Sequence, residues 1–226
     1  MTRVLLEVAV ESFEGAVAAA AAGADRLELC SRLEVGGLTP SLELFRRVRA
    51  AVSIPIVVMI RPRPGHFVLD GRESAEIGKS MASFRRFNPD AFVFGALTED
   101  GAIDRATCAK FLRRCSGTPA IFHRAWDERP RSAVDLELLV GLGFRRLLTS
   151  GGAKSVSEGA LAIRDWVGQA AGRIEILPGA GITPENVAEI LRATGCRQIH
   201  GTFKNCVREA RAALDQFAGA GSRASG

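Results

Sequence analysis

The sequence contains no tyrosine, two tryptophans and only three histidines. Without tyrosine, and with no basic run interleaved with aromatics, it lacks the stacking platforms of a single-stranded nucleic-acid binder. The net charge of +5 is dispersed over pairs such as Arg46-Arg47, Arg85-Arg86 and Arg113-Arg114, set in helical patterns, and Arg145-Arg146, which opens a strand pattern. Such spacing reads as solvated surface and argues against nucleic acid as a partner, while leaving room for a small anionic ligand. The five cysteines, Cys30, Cys108, Cys115, Cys196 and Cys206, are odd in number and form no CxxC pair. That excludes a disulfide scaffold and a structural zinc site and points to a reducing compartment. No apolar run approaches the roughly 20 residues needed to span a bilayer, so no membrane association is expected. The opening Met1-Thr2-Arg3-Val4-Leu5-Leu6-Glu7 is too short and too early-charged for a secretory signal, so a cytoplasmic protein is expected.

What is present is an alternation of short apolar runs with longer helical patterns. Strands are predicted at 4–9, 26–30, 55–61, 91–95, 119–123, 145–149, 173–177 and 197–201. Helices are predicted at 12–22, 40–52, 72–87, 104–115, 131–142, 155–170, 183–193 and 206–217. The unit recurs every 25–28 residues or so, a length that holds one strand, one helix and two short loops. Ser12, Ser41, Asp104, Ser155 and Thr183 stand where helix N-caps belong, and Gly23, Gly143 and Gly195 where helices end. The strands are nearly uniformly apolar, as parallel strands covered by helices are. Eight such units predict an α/β fold, a TIM-type (β/α)8 barrel over residues 1–218 as a single domain, with a disordered tail at 219–226. The rival, an open doubly wound sheet, usually carries a GxGxxG turn after its first strand, where this chain has Glu7-Val8-Ala9-Val10-Glu11.

In a closed barrel alternate strand residues point inward, and ligand sites gather at the C-terminal strand ends. Glu7 and Glu28 each place a carboxylate inside an apolar strand. Arg61 ends the third strand, His123 the fifth and His200 the eighth. Ionised groups there must pair or stay wet, so a structural ion-pair network is one reading. Because these charges gather at the rim where loops build active sites, a polar functional constellation is the better one.

The loops add to it. Arg61-Pro62-Arg63-Pro64-Gly65-His66 presents two guanidiniums on a proline-stiffened turn, suited to a carboxylate or phosphate. Thr149-Ser150-Gly151-Gly152 and Pro178-Gly179-Ala180-Gly181 are small and glycine-rich, so their backbone N–H groups are expected to approach an anion near the last strands.

These segments resemble the CutC-type copper-homeostasis family along nearly the whole chain. The matching stretches are Leu5–Val8, Gly23–Ser31, Gly36–Ser41, Met59–Arg63, Phe94–Leu97, Asp100–Asp104, Phe122–Asp127 and Leu147–Gly151. The resemblance implies a TIM-type barrel in the cytoplasm, linked to copper handling, with copper as the candidate bound metal. The sequence departs from the family pattern at Ala9, where a cysteine is common, at His66, at Val68-Leu69, and at His200-Gly201-Thr202.

Three readings of function follow. Copper binding as Cu(I) calls for soft ligands, of which Cys30 is the candidate, with His123 and Met59 nearby; Ala9 removes a second thiolate. An enzyme acting on a small anionic metabolite would use Glu7 or Glu28 as general base, His123 as acid or electrophile and Arg61 as anion clamp. Substrate-binding would fall to Arg63, Arg124, Asp127, Ser150, Gly151, Gly179, Gly181 and His200. No lysine stands at a strand end, which argues against a Schiff base. The third is a ligand-binding barrel without turnover. Apolar content permits a homo-oligomer, but no sequence feature identifies a contact.

Overall fold

The computed structural model describes residues 3–223, in which eight parallel strands alternate with eight α-helices. The strands are β1 (Leu5–Val10), β2 (Arg26–Leu29), β3 (Ile56–Met59), β4 (Ala91–Phe94), β5 (Ala120–Phe122), β6 (Arg146–Thr149), β7 (Glu175–Pro178) and β8 (Gln198–Gly201). The helices are α1 (Phe13–Ala21), α2 (Leu42–Ala51), α3 (Gly71–Arg85), α4 (Arg105–Cys115), α5 (Ala133–Leu142), α6 (Val156–Ala170), α7 (Val187–Thr194) and α8 (Val207–Arg223).

The ladder runs β7-β6-β5-β4-β3-β2-β1-β8, and a single parallel bridge between Gly179 and His200 brings its ends together. The result is a nearly closed TIM-type barrel, as the repeat predicts. Side-chain oxygens of Ser12, Ser41, Asp104 and Ser155 accept backbone N–H bonds and start their helices. Two boundaries differ from expectation by more than two residues. Thr183 starts no helix: its N–H donates to Asn186 Oδ1 (2.9 Å) while Asn186 donates to the Gly181 carbonyl (2.8 Å), so a turn precedes α7. The last helix outruns residue 217 because Ala210 and Leu214 anchor it in the core and an established helix propagates readily. It takes in the predicted tail as far as Arg223; residues 224–226 lie outside the described residues.

Burial divides the apolar residues into two groups. A large shell lies between helices and sheet, with Phe45, Phe84, Phe111 and Phe144 among its rings. A small group fills the barrel lumen: Cys30, Val57, Met59, Ala91, Val93, Ile121, Leu148 and Leu177. Glu7, Arg26 and Glu28 are buried charged residues of the neighbouring strands β1 and β2.

Candidate functional site

Strand register decides which charges meet. Glu7 is opposite His200 on β8 and Arg26 on β2, and Ala9 is opposite Glu28. Glu7 Oε2 accepts from Arg26 Nε, and its Oε1 accepts from His200 Nδ1 at 2.8 Å. Arg26 also donates to Gln198 Oε1 (3.1 Å), and Gln198 Nε2 lies 3.4 Å from Glu175, which accepts from Arg146 (2.9 Å). A polar chain thus climbs from the first residues of β6, β7 and β8 to the mouth.

Burial alone would raise the Glu7 carboxyl, but Arg26 and His200 outweigh it and hold it down at about 2. Glu7 is a fixed anion. Glu28, 3% exposed, has no such guanidinium in contact among the described residues. Burial and the Glu7 charge push it up to about 7 against the opposing pull of His200. Its Oε2 has no hydrogen-bond partner among the described residues. For His200, burial opposes the charged form, yet Glu28 and Glu7 prevail and its pKa is raised.

Above these residues a cavity of 610 Å³ opens at the C-terminal strand ends, within the size class of small-ligand sites. Its polar walls include Glu28, Arg61, His123 and His200. His123 is 4% exposed, and its Nδ1 accepts from the Ala125 N–H (3.2 Å), so the ring proton resides on Nε2. Burial, aided by the Arg61 charge, lowers its pKa to about 3: the ring is a neutral donor. Gly95 makes room for it, since a Cβ there would lie 2.5 Å from the imidazole. Arg61 is held by carbonyls, Nη1 donating to Val35 (3.0 Å) and Nη2 to Gly65 (2.9 Å).

Gly179, Gly181, Arg124 and Asp127 also line this cavity. Arg63 does not. It pairs with Glu73 and donates to the carbonyls of His66 and Val68, so it staples its own loop. The two-guanidinium clamp is therefore one guanidinium at the cavity and one structural.

The loop after β6 is likewise built differently from the expectation. Ser150 N–H and Gly152 N–H donate to the Asp127 carboxylate (2.9 and 3.0 Å), Thr149 Oγ1 donates to it (2.5 Å), and Gly151 N–H donates to Thr149 Oγ1 (2.9 Å). The anion at these amides is the protein's own. Arg124 pairs with Asp127 (3.0 Å) and reaches the Ser150 hydroxyl (3.1 Å), completing the cluster. Gly151 serves close packing: a Cβ there would lie 2.3 Å from the Gly159 carbonyl of α6.

Cys30 is fully buried in the lumen, its Sγ turned to the Val10 carbonyl at 3.5 Å. Burial and the charges of Glu28 and Glu11 push its thiol far up. It is a thiol packed among apolar groups, the opposite of a ready thiolate.

Two contributors escaped the sequence reading. Arg26 shares the inward parity of Glu28, and that alternation is the signal that could have found it. Phe67 lies in a loop with no periodicity, yet its ring sits 4.7 Å from that of His123 and 4.7 Å from the Arg61 guanidinium carbon.

Among the described residues, one group of His, Cys, Asp or Glu side chains could hold a metal ion: Glu7, Glu28 and His200, whose ligand atoms lie within 4.8 Å of one another. Nitrogen and oxygen donors of this kind suit a divalent ion, whereas Cu(I) prefers sulfur. The residues present therefore do not fit Cu(I) at Cys30 but do fit a divalent ion, with Glu28 Oε2 uncommitted.

Residues 4–205 match the model of the CutC family. The human "Copper homeostasis protein cutC homolog" is 44% identical over 196 residues, covering 87% of this chain and 72% of its own length. A CutC family protein of Caulobacter vibrioides is 42% identical over 201 residues, 89% of this chain and 82% of its own. The solved structure of CutC from Streptococcus agalactiae superposes with a TM-score of 0.84 at 34% identity, covering 88% of this chain and 98% of that one. With a matching barrel and a family model spanning nearly all of it, the chain belongs to the CutC family.

Proposed function

We propose that this protein handles copper, and that it holds the ion on nitrogen and oxygen at the barrel mouth rather than on sulfur. The observation that carries this reading is the cluster of Glu7, Glu28 and His200 within 4.8 Å at the foot of the cavity, joined to the copper-homeostasis names of its relatives. Glu28 and His200 would hold the ion, and Glu7, donated to by His200 Nδ1–H, would orient the imidazole from behind, as carboxylates behind metal-bound histidines do. Copper bound this way is divalent. Five unpaired cysteines accord with a cytoplasmic location.

Equilibrium dialysis against Cu(II), and against Cu(I) under reducing conditions, tests the reading. One equivalent of Cu(II) is expected, with an electron paramagnetic resonance signature of nitrogen and oxygen ligation. Glu28→Gln should lose it and Cys30→Ala should keep it. Loss in Cys30→Ala, or no copper bound by the wild type, would overturn the assignment.

A second reading rests on a different observation: a carboxyl with a pKa of about 7 and a neutral imidazole donor line one cavity. Glu28 as general base and His123 as hydrogen-bond donor to a carbonyl oxygen would serve proton abstraction on a small anionic metabolite. Solvent-deuterium incorporation into pyruvate, with chelator present, separates this from copper handling.

A further inference from the structure

The wall of the cavity that bears Arg61 and His123 takes no part in the metal-holding group. Arg61 forms no ion pair among the described residues, whereas Arg63, two residues on, is paired with Glu73. Its Nη groups donate to the Val35, Gly37 and Gly65 carbonyls, and its Nε donates to no described residue. Three carbonyl dipoles steady a guanidinium but leave its charge uncancelled. The acidic charge that acts on it is that of Glu128, another lining residue, which makes no salt bridge to it.

His123 stands beside it. With Nδ1 occupied by the Ala125 N–H, the second ring nitrogen carries the proton and donates to no described residue. Phe67 lies against both groups, 4.7 Å from the Arg61 guanidinium carbon and 4.7 Å from the His123 ring, and so fixes the two as neighbours on one wall. A cation over an aromatic face is held in place without being neutralised.

We infer that the Arg61–Phe67–His123 wall is a binding site for the carboxylate of a small organic acid. One uncancelled positive charge and one neutral N–H donor match a singly charged head group. A phosphate would bring more charge and more oxygens than this wall can satisfy, in a cavity that Glu28 and Glu128 also line. A cavity of 610 Å³ exceeds the needs of a bare carboxylate, so the acid carries an organic body that extends toward Glu28 and His200. The site needs neither copper nor catalysis.

Calorimetric titration of the intact chain in the presence of chelator tests this, with lactate, propionate and inorganic phosphate as probes. Lactate or propionate should bind in the millimolar range or tighter, and phosphate more weakly. Arg61→Gln and His123→Phe should each weaken carboxylate binding by about tenfold or more, the loss of one charged or polar contact. Because Arg61 also steadies two loops, His123→Phe carries the test if Arg61→Gln does not fold. Unchanged affinity in His123→Phe, no carboxylate binding by the wild type, or tighter binding of phosphate would each overturn the inference. Since copper is chelated throughout, failure here leaves the copper reading standing, and loss of copper in Glu28→Gln leaves this site standing.

Discussion

Glu7 and His200, 193 residues apart, meet at 2.8 Å where the first and last strands pair. The same carboxylate accepts from Arg26 on the other neighbouring strand, so one side chain binds β1, β2 and β8 from inside the lumen. Such a group serves the closure of the barrel and the poise of the site together.

Removing Arg26 should therefore do more than delete one hydrogen bond. In Arg26→Met the Glu7 carboxylate is left buried with His200 alone, and a loss of about 3–5 kcal/mol is expected, as for other broken buried pairs. Urea denaturation at neutral pH measures it. Adding Glu7→Gln should restore part of the loss, because the stranded charge is then gone; a fully additive double variant would refute the pairing.

Glu28 is strained in the opposite sense. Its folded pKa is raised from 4.5 to about 7, so between those values the folded state binds the extra proton. Its contribution is present below pH 4.5 and is lost as pH rises through 7. Glu28→Gln should match the wild type near pH 4.5 and exceed it in the metal-free protein above pH 7, by up to about 3 kcal/mol. Thermal melts across that range, with chelator, report the divergence.

His123 works from the acid side. Its folded pKa falls from 6.5 to about 3, so the unfolded chain takes up the proton first. Stability from this residue is present above pH 6.5 and is lost progressively as pH falls toward 3. Nitrogen-15 chemical shifts should show a neutral ring with its proton on Nε2 at pH 5, and a charged ring there would disprove the assignment.

Asp127 should prove a loop-builder. Asp127→Ala frees the N–H groups of Ser150 and Gly152 and the Thr149 hydroxyl at once. A destabilisation of about 2–4 kcal/mol is expected from the loss of several hydrogen bonds to a partly buried carboxylate. Amide exchange should quicken at Ser150 and Gly152 while the β2 amides stay protected.

Much of this molecule is determined by its sequence alone. The apolar runs and capped amphipathic segments specify eight strands and eight helices to within a few residues, because local periodicity and capping are short-range physics. Parity along each strand sends Glu7, Glu28 and the residue at 61 inward. Parity misses Phe67 and the tail helix, whose placement depends on packing against distant elements.

Only the tertiary structure decided which charges meet. Register across β8, β1 and β2 joined Glu7 to Arg26 and His200 and left Glu28 with no ion-paired guanidinium among the described residues. Chain reversal in the loops gave Arg63 to Glu73, and the amides after β6 to Asp127, taking both from the cavity. Packing also decided that Cys30, which strand parity already sends inward, lies among apolar neighbours. A charge's role is set by which opposite charge and how much water lie within a few ångströms of it, and those distances come from residues remote in sequence.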